Sequence, residues 1–218
     1  MGKVIAIDGP SSSGKTTVAK FIAKELGFDY LDTGALYRAV ALLLRDNGIK
    51  PEHSDEKLKD VLIKNHITFS NGRVFINGED VSEDIRSAEI DHYSSVFSAR
   101  KIVRDFLHDV QRNTALNNDL VVEGRDTTTV IFPDAWRKIY LDASLEERAK
   151  RRYLQFMGKR VYISINKCKM NIIERDTRDI KRDIAPLKKA EDAFLIDSTN
   201  LSIEQVTKKI LEFIRTVP

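Results

Sequence analysis

A chain of 218 residues is long enough to bury one sizeable core, since single cores stop growing at roughly 250 to 300 residues. Hydrophobic residues make up 42% and charged residues 32%, ordinary globular usage, and the longest clean apolar run, residues 39–44, falls far short of the roughly 20 residues that cross a bilayer; a disordered or membrane-spanning chain is excluded. The formal charge of +3 argues neither for nor against nucleic acid, and the single cysteine, Cys168, excludes an internal disulfide and a cysteine-built zinc site.

The chain reaches an acid at Asp8 after too short an apolar stretch for a signal peptide, and Ala6 breaks the myristoylation pattern that Met1-Gly2 would otherwise suggest. The expectation is a cytoplasmic protein with no anchor. Residues 3–7 form a short apolar, β-branched run that meets Gly9-Pro10, which predicts a buried strand ending in a turn. Ala19, Ile22, Ala23 and Leu26 then repeat at helical spacing over residues 16–26, with Gly27 as the stop.

Between strand and helix, Gly9, Pro10, Ser11, Ser12, Ser13, Gly14, Lys15 and Thr16 satisfy G-x-x-x-x-G-K-S/T in the context its mechanism requires. Backbone amides of such a loop point at phosphates, and the glycines allow close approach. Lys15 adds charge at the β and γ phosphates, and the Thr16 hydroxyl is a candidate magnesium ligand, with most of the ion's bonds going to phosphates and water. Thr17 completes the predicted ATP-binding set.

Four further apolar runs predict buried strands at residues 28–31, 120–123, 138–141 and 193–196. Helical patterns separate them: residues 36–44; Ile102, Val103, Phe106, Leu107 and Val110; Leu145 onward behind Ser144-x-x-Glu147; and Ile203 onward behind Ser202-x-x-Gln205, the last two starts resembling capping boxes. This alternation implies an α/β fold, a parallel five-stranded sheet with helices on both faces. One piece interrupts it: residues 67–69, then Asn71-Gly72, then residues 74–76, a two-residue hairpin signal inside a helical insertion. The division expected is a single domain with a core of about 1–50, 95–152 and 172–218, an insertion of about 51–94, and a basic, mobile lid of about 153–171.

Residues 148–182 hold twelve Lys or Arg against Glu174, Asp176 and Asp179. Alone, such a run is a solvated helical face; beside a phosphate loop it suits a lid that closes over a triphosphate and excludes water. A second substrate must be sought in three clusters. The stretch Asp32, Thr33, Gly34, Ala35, Leu36, Tyr37, Arg38 opens a helix with an arginine near its start, which suits a phosphate. Glu123, Gly124, Arg125 and Asp126 end the third core strand, where open parallel sheets place ligands. On a predicted helix, Arg175, Asp179 and Arg182 share one face.

The stretches IDGPSSSGKTT, LDTGALYR, GEDVSEDIR, SARKIVRDF, EGRDTTTVIFPDA, IYLDAS, ERDTRD with APL, and LIDSTNLSIEQV resemble the bacterial cytidylate kinases over nearly the whole chain. GEDVSEDIR is the sharpest, resembling the signature of an insertion that adenylate kinases lack. The resemblance implies a P-loop nucleoside monophosphate kinase, with a CMP-binding insertion, that transfers the γ-phosphate of magnesium-bound ATP to CMP or dCMP, a monomer with no nucleic-acid or membrane partner. It implies that Thr33, Arg38 and Arg125 hold the CMP phosphate, Ser95, Arg104 and Asp126 the cytosine, and Arg175 and Asp179 the ribose and phosphate, while Arg182 joins the transferring phosphoryl; Tyr37 and Gly124 complete the CMP site. Lys15, Arg125, Arg175 and Arg182 are the expected catalytic set. Thr128 and Glu123 depart from the family pattern, where glycine and aspartate are usual. Three other readings stand beside it: another small P-loop kinase acting on AMP, UMP or shikimate; a GTP-binding switch, whose Asn-Lys-x-Asp motif Asn166-Lys167-Cys168-Lys169 fails to complete; and a nucleic-acid binder using the basic run.

Overall fold

The computed structural model describes residues 2–116 and 118–216. Its central sheet runs β2 (Asp29–Asp32), β6 (Leu120–Gly124), β1 (Val4–Asp8), β7 (Arg137–Asp142) and β8 (Phe194–Asp197) in spatial order, every neighbouring pair parallel. These are the five strands predicted, with no end shifted by more than one residue. The near-continuous apolar character of β1 and β6 has a simple cause: both faces are covered. Val4 and Ala6 point into a core with α2 (Thr33–Asp46) and α5 (Lys101–Asn113), while Ile5 and Ile7 point into a second core with α1 (Lys15–Leu26) and α8 (Ile203–Thr216).

Local signals set the helix starts. Asp32 caps α2 by accepting from the Ala35 amide at 3.0 Å. At α8 the capping box is reciprocal: the Ser202 amide donates to Gln205 Oε1 at 2.9 Å and the Gln205 amide to Ser202 Oγ at 3.3 Å. At α6 (Leu145–Gly158) it is half-formed, because Glu147 turns to Arg151 and the Ser144 amide donates instead to Thr199 Oγ1.

The insertion contains α3 (Asp55–Leu62), a three-stranded antiparallel sheet of β3 (Ile67–Ser70), β4 (Arg73–Ile76) and β5 (Glu79–Asp80), and α4 (Ala88–Phe97). Asn71 and Gly72 take φ of 50° and 75°, the pairing a mirror-image two-residue turn demands. Strand β5 was not predicted, although its signal is the same: Asn77-Gly78, with φ of 52° and 88°, turns β4 back so that Ile76 faces Glu79. The expected boundary near residue 94 falls inside α4, which is one unbroken helix.

The segment expected as a mobile lid is largely helical. Residues 153–158 are the end of α6, residues 159–164 a connection, and α7 runs Ile165–Lys181. Antiparallel packing of α6 on α7 requires an apolar seam as well as charge, and Ala149, Cys168 and Ile172 supply buried positions for it. No helix among the described residues is long and apolar enough to cross a membrane.

Candidate active site

Parallel pairing brings the carboxyl ends of three strands together, with Asp8 beside Gly124 and Asp32 beside Glu123. The loop that leaves β1 there is tightly constrained. A Cβ on Gly9 would lie 2.0 Å from the Leu141 carbonyl oxygen, so no other residue fits. Lys15 is buried in the loop, donating to the Pro10 carbonyl at 2.7 Å and to Ser13 Oγ at 3.4 Å. Burial and the nearby Arg125 pull its ammonium down to about 7. Thr16 Oγ1 donates to Glu123 Oε1 at 2.5 Å, and Tyr30 donates to the same oxygen at 3.0 Å. Burial, with Asp32 alongside, pushes the Glu123 carboxyl up.

Two arginines of the basic run brace this loop. Arg148 pairs with Asp176 and donates to the Ser11 carbonyl at 3.1 Å, while Asp176 accepts from the Ser11 amide at 2.9 Å. Arg151 donates to the Ser13 carbonyl at 3.0 Å and, through its other terminal nitrogen, to the Ser198 carbonyl at 2.7 Å. These two arginines therefore turn inward onto the loop, while Lys150, Lys159, Arg160, Lys167 and Lys181 are exposed, a solvated face as the charge run alone implies.

The other predicted residues, apart from Arg104, which stands behind Asp126, meet around one cavity of about 1010 Å³ that also contains the phosphate loop. Thr33 Oγ1 donates to the Glu123 carbonyl at 2.7 Å and Arg38 pairs with Asp32 at 2.8 Å. Burial works against charge on Asp32, but Arg38 and the Ala35 amide outweigh it and hold that carboxyl low. Arg125 pairs with Asp179 at 3.0 Å and donates to the Gly124 carbonyl at 3.1 Å. Arg104 donates to the Ser98 carbonyl at 3.0 Å and pairs with Asp126, whose other oxygen accepts from Arg182 at 3.0 Å. Tyr37 lies with its ring 5.5 Å from the Arg104 guanidinium, and burial pushes its hydroxyl up to about 12.

Arg182 thus stands beside Asp126 with its side chain 5% exposed, and burial lowers its pKa. Arg175 pairs with Asp91 at 2.7 Å, on a helix the sequence patterns did not reveal. Arg38 Nε, Ser95 Oγ and Arg175 Nε are buried without a hydrogen-bond partner. Three such orphans around one cavity mark a surface shaped for a polar ligand. Asn166, Lys167, Cys168 and Lys169 lie in the first turns of α7, where they form no base-binding loop.

Asp8 was also missed. Wholly buried beneath the site, it accepts from the amides and hydroxyls of both Thr127 and Thr128. Burial pushes its pKa up despite those four bonds. The unusual Thr128 is therefore a partner of Asp8, and its hydroxyl anchors the π-helical turn Thr127–Ile131 that follows Asp126.

The family model for cytidylate kinase matches residues 5–216. The chain belongs to the cytidylate kinase family. It is 51% identical to a cytidylate kinase of Thermosipho melanesiensis over 97% of this chain and 96% of that one. A cytidylate kinase of Thermotoga maritima is 45% identical over 99% and 98% of the two chains. Among solved structures, an uncharacterized protein from Eubacterium ventriosum matches with a TM-score of 0.56 at 16% identity, covering both chains completely, a likeness of fold alone.

Proposed function

We propose that this cleft binds ATP at residues 9–17 and CMP or dCMP on the facing wall, and that the protein transfers the γ-phosphate of ATP to the monophosphate. The observation that carries the residue assignments is the convergence of Arg38, Ser95, Asp126, Arg175 and Asp179, from separate elements, on the cavity that holds Lys15, with Arg104 paired to Asp126 behind its wall. Phosphoryl transfer asks for alignment and charge neutralisation more than for a covalent nucleophile. Lys15 and Arg125 stand close enough for each to feel the other's charge, which fits a shared role on phosphates.

Base choice follows from donor and acceptor chemistry. Asp126 accepts one hydrogen bond on each oxygen, which leaves lone pairs on both. Cytosine offers an amino donor at N4 for such a carboxylate, while uracil would present an oxygen to it and leave the buried charge unpaired. Arg104, beside Asp126, suits the N3 and O2 acceptors of cytosine, and the unpartnered Ser95 Oγ supplies a further polar contact. Thr33, Tyr37, Gly124 and Arg182 complete the acceptor wall.

The Thr16 hydroxyl and the Glu123 carboxylate form an oxygen pair at the phosphate loop that suits a hard cation. Among the described residues no cluster of three or more His, Cys, Asp or Glu is placed to hold a metal. A magnesium ion would therefore arrive on ATP, held by phosphates, water and these two side chains, and would neutralise charge on the triphosphate. The same reading has the enzyme as a cytoplasmic monomer acting on free nucleotides. Steady-state rates with ATP against CMP, dCMP, UMP and AMP test it: CMP and dCMP should lead, and equal turnover of UMP or AMP would overturn the base assignment.

A further inference from the structure

Helix α4 carries one face into the cleft: Asp91, then Ser94 and Ser95, then Ser98 just beyond its end. The serine end lies at the Arg104–Asp126 pair, since the Ser98 carbonyl accepts from Arg104. The Asp91 end, one turn earlier, meets helices α6 and α7. Asp91 Oδ1 accepts from Arg175 Nη1 at 2.7 Å and Oδ2 accepts from Arg152 Nη2 at 3.0 Å. One carboxylate thereby joins three helices, α4 on the acceptor side with α6 and α7.

Both arginines line the cleft, and neither is held firmly by anything else. Arg175 has a buried Nε without a partner. Arg152 otherwise touches Gln155 Oε1 at 3.1 Å and lies 4.8 Å from the Phe156 ring, both on its own helix. A guanidinium on a long flexible side chain contributes to phosphoryl transfer only when its fork is aimed. The Asp91 bonds use Nη2 of Arg152 and Nη1 of Arg175; Nη1 of Arg152 also reaches Gln155, while Arg175 keeps its unpartnered Nε for a ligand.

We propose that Asp91 is a positioning residue for phosphoryl transfer, tying Arg152 and Arg175 to the acceptor-side helix so that both guanidiniums are aimed into the gap between the two nucleotides. This rests on the placement of Arg175 at the acceptor. Asp91 has no direct role in binding ATP, and its loss should leave that affinity intact.

The test compares Asp91→Asn, Arg152→Gln, the double variant and Arg175→Ala in the full-length protein. Kinetics are run with ATP and CMP, ATP affinity is measured at equilibrium without CMP, and circular dichroism establishes folding. Asp91→Asn keeps the side-chain shape and should lower kcat by on the order of 10-fold to 100-fold, with ATP affinity unchanged. The double variant should be no worse than about the more impaired single one, because both act through one contact. Wild-type kcat in Asp91→Asn, fully additive losses, or a lower KM for CMP (the sign of a carboxylate that competes with substrate for the arginines) would each overturn the proposal. Full activity in Arg175→Ala would instead refute the acceptor-site assignment on which it stands. If Asp91→Asn does not fold, Arg152→Gln carries the test, and unchanged kcat there overturns the proposal.

Discussion

Asp8 and Thr128 are joined twice: Asp8 Oδ2 accepts from the Thr128 amide at 2.7 Å and from its hydroxyl at 2.6 Å. Oδ1 takes the equivalent pair from Thr127, at 3.0 and 2.7 Å. Because Asp8 ends β1 and the two threonines follow Arg125 and Asp126, this carboxylate fixes the acceptor loop to the strand that launches the phosphate loop. The geometry of donor and acceptor sites is thus set from below by one buried residue.

Asp8→Asn should therefore be costly. An amide in place of the carboxylate turns one acceptor into a donor that faces donors, and should destabilise by about 3 kcal/mol, whereas Thr128→Val removes a single hydroxyl and should cost about 1 kcal/mol. Urea denaturation of the two variants checks the order. Equal stability of Asp8→Asn and wild type would show that the clamp contributes nothing.

Lys15 gives a pH prediction. Its folded value of about 7 lies below the ordinary 10.5, so between those limits the unfolded chain binds the extra proton, and this residue's contribution to stability rises with pH across that window. The contribution is lost as pH falls through 7. The slope would be at most about 1.4 kcal/mol per pH unit, and Lys15→Met should flatten it. Thermal melts of the two proteins from pH 7 to pH 10 make the comparison.

The same shift links binding to protons. A polyphosphate beside Lys15 restores its charge, so ATP binding at pH 8 should take up close to one proton. Titration calorimetry in buffers of different ionisation enthalpy measures that number directly; a buffer-independent enthalpy would rule it out. Lys15→Ala should fold, bind ATP without proton uptake, and lose transfer by on the order of 10²-fold or more.

What the sequence disclosed and what it hid divide along a physical line. The five core strands, the phosphate loop and the first hairpin depend on local pattern, and local pattern is what a sequence displays. Strand β5 was equally legible, since Asn77-Gly78 repeats the signal of Asn71-Gly72 six residues later. Helix α4 was harder to read: Ile90, Tyr93 and Phe97 give it a short apolar stripe, but its cleft face is polar, with Asp91, Ser94, Ser95 and Ser98, which breaks the pattern. The pairings of Arg148 with Asp176 and of Arg175 with Asp91 join residues 28 and 84 positions apart, and charge composition alone does not say which carboxylate a given arginine will meet.

Asp126 carries the test of base selection. It is 4% exposed and holds two arginines, Arg104 and Arg182, so its removal does two things at once. Asp126→Ala removes the carboxylate that Arg104 and Arg182 share, leaving Asp179, 3.9 Å from Arg182, as the nearby counter-charge, and should cost about 3 to 5 kcal/mol of stability as well as activity. Asp126→Asn is the cleaner variant, because it keeps the shape and one acceptor while its new amino group is matched to the O4 of uracil. Turnover of CMP should fall by on the order of 10²-fold in kcat/KM, UMP should lose far less, and ATP affinity should stay within about twofold, since the phosphate loop makes no contact with this side chain. An unchanged ratio of CMP to UMP in Asp126→Asn would move the base-reading role to Ser95 and Arg104.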